Sequence, residues 1–160
     1  MRAHVLQLLR RHTKEYLSGE EISRRLAISR TAVWKHVQGL RQDGYTIESQ
    51  PRKGYRLLEV PDRLLPAEIR AKLNTKILGN QIFYFDAIQS TNDEAKKKAA
   101  IGCQEGTVVI AETQHSGRGR LSRGWFSPPG KGIWISLVLR PPFRPQDAPK
   151  CTLMAATAVA

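Results

Sequence analysis

Two serine caps within a dozen residues constrain this 160-residue chain more than any other feature. Ser18 stands three residues ahead of Glu21, the capping-box spacing that opens a helix. That helix is short, with Ile22 and Leu26 four apart on one face. Ala27-Ile28-Ser29 then makes a tight connection, and Ser29 caps a further helix to about Asp43. Its apolar stripe is Val33, Val37 and Leu40, and Gly44 stands where a left-handed C-terminal cap belongs. Upstream, residues 2–16 carry Val5, Leu8, Leu9 and Tyr16 at helical spacing. Downstream, Tyr45 to Ser49 and Tyr55 to Leu58 alternate around Pro51-Arg52-Lys53-Gly54, a hairpin signal. Helix, short helix, helix, hairpin is the order of a winged helix-turn-helix.

The stripe fixes which side of the third helix faces the core, so Arg30, Thr31, Trp34, Lys35, Gln38 and Arg41 fall together on the opposite face. A helix of this width enters a DNA major groove, where Gln and Thr address base edges and Arg and Lys neutralise phosphate. Arg52 and Lys53, at the hairpin tip, are placed to meet the adjacent backbone. The charge balance agrees. The chain carries 26 Lys and Arg against 14 Asp and Glu, a formal net charge of +12, which favours a polyanionic partner. Residues 1–60 hold the denser share. In the remainder no acid occurs from Thr113 to Gln146, a stretch bearing Arg118, Arg120, Arg123, Lys131, Arg140 and Arg144.

Glu59 to Leu65, with Pro61 and the following Pro66, divides the chain. The expected organisation is a DNA-binding domain over 1–60, a linker over 61–66 and a second domain over 67–160. Pro66 opens a short helix through Leu73. Strands are expected at Ile82–Phe85, Thr107–Ala111 and Ile133–Leu139, with a helix capped by Thr91 and Glu94 ending near Gly102. Thr113 to Gly132 reads as one long Gly-, Arg- and Pro-rich loop. Leu153 to Ala160 is apolar, helix-like and without a stop signal, the composition of a chain that ends inside a domain. Cys103 and Cys151 fit no metal spacing and no disulfide framework, and no metal ligands are expected. The run Val5 to Leu9 is broken by Gln7 and followed by Arg10 and Arg11, so it is no signal peptide, and no stretch is long and apolar enough for a membrane span. A cytoplasmic protein without membrane partners is expected.

Gly117-Arg118-Gly119-Arg120-Leu121-Ser122-Arg123-Gly124-Trp125 is the chain's most specific string. Glycines let backbone approach a ligand, the guanidinium forks suit phosphate and carboxylate, and Trp125 can cover a ring. The string fits neither a Walker loop nor a dinucleotide fingerprint. On residue types alone, a loop ordered by an anionic ligand and a solvent-facing Gly–Arg segment fit equally well.

Ser90-Thr91-Asn92, Gln114, the Gly-Arg-Gly-Arg-x-x-Arg-x-Trp string and Ser127-Pro128, taken together, resemble the biotin–protein ligases. With a winged helix-turn-helix ahead of them, the resemblance is to the bifunctional type that also represses the biotin operon, and it runs from about Ser18 to the end. It implies an α+β chain: the winged helix-turn-helix, then the first part of a mixed α/β, class II synthetase-like catalytic domain. It implies that Ser90, Thr91, Asn92 and Gln114 bind biotin, and that Arg118, Gly119 and Arg120 close over biotin and its adenylate. Arg123 would assist at phosphate, and Trp125 would pack over the ligand. Arg118, Arg120 and Arg123 are thus the expected catalytic set.

The implied chemistry has two steps. The biotin carboxylate attacks the α-phosphorus of Mg2+-bound ATP, releasing pyrophosphate. A lysine of biotin carboxyl carrier protein then takes the biotinyl group from biotinyl-5′-AMP, releasing AMP. Positioning and charge neutralisation carry such a reaction. The adenylate would also serve as corepressor, promoting a homodimer that meets a two-fold operator. The resemblance further implies a Lys-Trp-Pro-Asn-Asp motif and a small C-terminal β-barrel, neither of which occurs in these 160 residues. This chain alone is therefore expected to show little ATP- and biotin-dependent pyrophosphate exchange. A regulator that senses biotin without catalysis remains an alternative reading. A lipoate-type ligase is a weaker one, because that class lacks the arginine string and the leading helix-turn-helix.

Overall fold

A computed structural model of the chain, describing residues 1–119, 121 and 123–159, shows both serine caps formed. Ser18 Oγ accepts from the Glu21 amide at 3.0 Å and Ser29 Oγ from the Ala32 amide at 3.1 Å. They open α2 (Gly19–Leu26) and α3 (Arg30–Gln42), which follow α1 (Arg2–Arg11). Gly44, at φ +98°, closes α3, and β1 (Thr46–Gln50) and β2 (Gly54–Glu59) form an antiparallel hairpin. The chain divides into two units, Met1–Arg63 and Leu64–Ala160.

The first unit is built around fully enclosed side chains from every helix: Val5, Leu6 and Leu9 from α1, Ile22 from α2, and Val33, Val37 and Leu40 from α3. Leu17, Tyr45, Ile47 and Leu57 complete the core. Burying each is worth about 1.5–3 kcal/mol, and together they oppose the entropy of ordering the chain. The α1 stripe differs from the sequence expectation: Leu6 is buried and Leu8 only partly so, and the helix stops at Arg11 rather than reaching Tyr16. The reason is Leu17. Its amide and carbonyl exchange two 2.9 Å hydrogen bonds with Tyr55 of the hairpin, so the chain must already be extended there. Gly54 permits that pairing. At φ +115°, a Cβ on it would lie 2.1 Å from the Leu17 carbonyl oxygen.

The second unit opens with α4 (Pro66–Lys72) and has a four-stranded sheet at its centre. β3 (Ile82–Ile88) and β4 (Val108–Arg118) run parallel, Ile82 opposite Val108 and Ile88 opposite Gln114, joined across α5 (Thr91–Ala100) as a βαβ unit. β6 (Trp134–Leu137) pairs antiparallel with the first half of β4, on the edge away from β3. β5 (Gly124–Ser127) pairs with the second half. α5 lays Ala95 and Ala99 over Val109, Val138, Phe83 and Phe85. A one-turn 3-10 helix (Pro145–Asp147) and α6 (Pro149–Val159) follow.

Two expectations are corrected in this unit. The α5 cap is Ser90, whose Oγ accepts from the Asp93 amide at 3.3 Å; Thr91 is instead the first helical residue. And Thr113–Gly132 is not one loop. β4 continues through Arg118, and Gly117 lies opposite Trp125 on β5. The strands approach so closely there that a Cβ on Gly117 would stand 2.8 Å from the Trp125 carbonyl oxygen and 2.9 Å from Ser127 Oγ.

Candidate functional site

The N-terminus of α5, the far half of β4, β5 and β6 enclose a cavity of about 630 Å3. Ser90, Thr91, Asn92, Gln114, Arg118, Gly119 and Trp125 all line it. The strand that carries Arg118 therefore shares a cavity with Asn92. The cavity is completed by residues the sequence did not single out: Asp93 and Lys96 of α5, and Ile133, Trp134, Ile135 and Ser136 at β6. The periodicity of the Ile133–Leu139 run marked a strand but carried no signal that its residues reach the α5 N-terminus.

A directed hydrogen-bond chain sets the polar groups. Ser136 Oγ donates to Thr91 Oγ1 at 2.9 Å, and Thr91 Oγ1 donates to Gln114 Oε1 at 3.0 Å. The Thr91 amide donates to the same oxygen at 2.8 Å. Gln114 Nε2 faces Ser127 Oγ at 3.3 Å, whose hydroxyl donates to the Trp125 carbonyl at 3.2 Å. Ser90, Thr91 and Ser127 are all buried. In such an enclosed setting an unmatched donor or acceptor costs about 1–3 kcal/mol, so the chain holds helix α5 and three strands in one register. Because the Gln114 oxygen already has two donors, a ligand meets Gln114 through what remains of its amide nitrogen.

At the cavity mouth Arg118 Nη2 lies 3.3 Å from Asp93 Oδ2, both groups partly exposed. Trp125, 58% exposed, lies along Gly119, where even a methyl group would come within 3.2 Å of its ring. Arg123 is exposed and lies outside the cavity lining; its carbonyl accepts from the Gly119 amide at 2.8 Å. Arg120 falls outside the described residues. No group of three His, Cys, Asp or Glu side chains gathers anywhere among the described residues.

On the first unit, Arg30, Thr31, Trp34 and Lys35 are exposed on α3, and Arg30, Thr31 and Trp34 border a groove of about 370 Å3 with Gly19 and Tyr55. Arg52 and Lys53 are exposed at the hairpin tip. Arg41 departs from the outward set. Its guanidinium folds onto β1, donating to the Ile47 carbonyl from Nε (3.1 Å) and Nη2 (2.7 Å), and to Ser49 Oγ at 2.6 Å. Its role is to tie helix to wing.

At the root of the wing, Arg56 stacks 4.8 Å above the Tyr16 ring and pairs with Glu48 at 2.8 Å, with Lys53 5.8 Å from the same ring. The nearby Tyr16 hydroxyl, then hydrogen bonds from Arg56 (2.8 Å) and Gln50 (3.2 Å), hold the Glu48 carboxyl below its ordinary range. Desolvation, and next the proximity of Glu48, push the Tyr16 phenol up.

A groove beside a capped helix in one unit and an arginine-flanked cavity in the other are thus the two candidate sites of the chain. Residues 2–56 match the family model described as HTH domain, and residues 84–160 match the one described as biotin/lipoate A/B protein ligase family. The chain is similar to the bifunctional ligase/repressor BirA of Bacillus spizizenii, with 46% identity over 159 residues, which is 99% of this chain and 49% of that protein. It is also similar to the bifunctional ligase/repressor BirA of Salmonella typhimurium, 37% identical over 127 residues, covering 79% of this chain and 38% of that protein. Among solved structures, the biotin protein ligase from Aquifex aeolicus in complex with biotin and ATP aligns with a TM-score of 0.33 and 31% identity, over 39% of this chain and 25% of that one. The chain spans about half the length of the curated relatives it matches. No helix among the described residues is long and apolar enough to cross a membrane.

Proposed function

We propose that this chain carries the operator-reading head and the biotin-binding portion of an ATP-dependent biotin–protein ligase that doubles as a repressor of biotin synthesis. The observation that carries the reading is the shared cavity. The Ser90-Thr91-Asn92 turn and the Arg118-Gly119 strand end, far apart in sequence, line one space large enough for a small bicyclic acid and part of a nucleotide.

The residues divide the work by chemistry. Ser90, Thr91, Asn92 and Gln114 form the polar end, where short hydroxyls and amides match the donors and acceptors of a ureido ring. Trp125, Trp134 and Ile135 supply apolar walls for the rest of biotin. Arg118, at the mouth, is placed for the carboxylate and for the α-phosphate it attacks, lowering the repulsion between two anions as the C–O–P bond forms and pyrophosphate leaves. Arg120 is proposed to share that duty. Arg123 acts through its backbone hold on Gly119 and through long-range charge. Mg2+ arrives with the triphosphate rather than in a cage of its own. Biotin carboxyl carrier protein takes the biotinyl group, and the adenylate promotes the homodimer that binds operator DNA. These events belong to the cytoplasm.

Calorimetric titration of biotin into the chain tests the reading. Saturable binding, weakened at least about tenfold (1.4 kcal/mol) by Thr91→Val, is the expected result. Binding indifferent to Thr91, or lipoate binding as well as biotin does, refutes it.

A further inference from the structure

One end of the Gln38 carboxamide lies against two donors at once: the Trp34 indole Nε1 at 3.3 Å and Arg41 Nη1 at 3.1 Å. Only an oxygen can accept from both, so the amide oxygen stands at that end and its two lone pairs are filled. Arg41 is held on β1 by three hydrogen bonds, and Trp34 is the next turn of the same helix. What Gln38 has left to offer a base is N–H alone.

This changes the base it can read. A free glutamine pairs with adenine because it does two things together: its oxygen accepts from the N6 amino group and its nitrogen donates to N7. With the oxygen spent, the first half of that pairing is lost, and the remaining NH2 would face the adenine amino group donor to donor. Guanine presents N7 and O6, two acceptors and no donor, on its major-groove edge; cytosine presents a donor. We infer that Gln38 is a specificity-determining residue that reads guanine, not adenine, at the base pair it meets, because Trp34 and Arg41 consume its acceptor. The inference rests on the DNA-reading function proposed above and assigns it a base.

The two supporting residues then act through Gln38. Trp34, 52% exposed, borders the groove while its indole N–H is directed at Gln38. Arg41 fixes the carboxamide and the wing through the same guanidinium.

The test is selection of binding sites from a randomised duplex by the full chain, with preformed biotinyl-5′-AMP supplied, followed by competition between the selected site and its G·C-to-A·T variants. One good bidentate contact discriminates by about 1–3 kcal/mol, so a single guanine position is expected at which adenine binds about 5- to 150-fold more weakly. Trp34→Phe returns a lone pair to Gln38 without removing the ring, and the guanine-to-adenine ratio at that position should fall several-fold. Gln38→Glu keeps an acceptor for Trp34 and Arg41 but has no donor, and should lose the guanine preference altogether; non-specific DNA binding, measured alongside, reports the fold. Adenine at the Gln38-sensitive position, or a ratio unmoved by both variants, overturns the inference while leaving DNA reading intact. A wild-type pool with no enriched sequence overturns DNA reading and the inference with it.

Discussion

The two units solve the problem of burial differently. In Met1–Arg63 every helix contributes side chains with almost no exposed surface, among them Val5, Leu9, Ile22, Val33 and Val37. In the second unit full enclosure is concentrated on one strand, at Val109, Ile110 and Ala111, while Phe126, Ile133, Ile135, Leu137 and Leu139 are about half exposed or more. The first unit is a finished core, with Arg30, Thr31 and Trp34 bordering a groove on its surface. The second lines a cavity with α5 and its sheet and leaves many of the sheet's apolar side chains exposed. A shared device crosses the difference: each site fixes a glutamine by giving its oxygen two donors, Trp34 and Arg41 at Gln38, the Thr91 amide and hydroxyl at Gln114.

The sharpest way to break the contrast is truncation. Leu9→Ala should destabilise the first unit by about 2–5 kcal/mol, because a side chain with 1% exposure leaves a cavity that the three helices cannot close. Leu137→Ala, at 45% exposure, should change the second unit by less than about 0.5 kcal/mol. Urea unfolding with amide exchange read separately in α1–α3 and in β4 measures both. Equal losses would show that the two cores are of one kind.

The glutamines come next. Gln114→Ala strips the buried Thr91 amide and hydroxyl of their acceptor and should cost about 1–3 kcal/mol in the second unit, with biotin affinity falling at least about tenfold. Gln38→Ala leaves Trp34 and Arg41 beside solvent and should move stability by less than about 0.5 kcal/mol, its effect confined to base choice. Comparable destabilisation by both would mean that Gln38 is a structural group.

The same contrast governs what was legible in the sequence. Ser18, Ser29 and Gly44 announce local geometry through local chemistry, and α2, α3 and the hairpin follow within a residue or two. Leu17 did not, because its partner Tyr55 lies far along the chain and only the pairing explains why α1 ends early. In the second unit Thr113 to Arg118 looks like loop by composition, yet is strand, because β3 and β5 supply hydrogen bonds that no local propensity reports. The motif residues Ser90, Thr91, Asn92, Gln114, Arg118 and Trp125 were readable and do meet in one cavity. Asp93 and Ser136 were not: each is an ordinary residue whose importance is its position. Arg41 shows the opposite failure, since its helical phase points outward while the wing captures its guanidinium.

A smaller effect separates phosphate contact from base contact on the first unit. Lys53→Ala at the wing tip should weaken DNA binding by a similar factor for every sequence and reduce the slope of log affinity against log salt by about 1. Gel-shift titrations across a salt series read the slope. A sequence-dependent loss would move Lys53 from the backbone to a base edge.

The smallest expected effect lies at the wing root. The Glu48 carboxyl titrates lower in the folded unit than in the unfolded chain, chiefly because of the neighbouring Tyr16 hydroxyl and then because Arg56 hydrogen-bonds its charged form. Such a group stabilises the fold fully above the unfolded value, about 4.3 for a glutamate, and its contribution disappears as pH falls through the lower folded value. Partial exposure of Glu48 and Arg56 lets solvent and salt screen most of the interaction, so the change should be modest. Glu48→Gln should flatten the acid limb of the first unit's stability below about pH 4.3 and leave the second unit's limb unchanged. Tyr16→Phe should raise the Glu48 titration point toward its ordinary value, read from its carboxyl 13C shift. A Glu48 that titrates alike in the wild type and in Tyr16→Phe would mean that the stack on Arg56, and not the hydroxyl, holds the root of the wing.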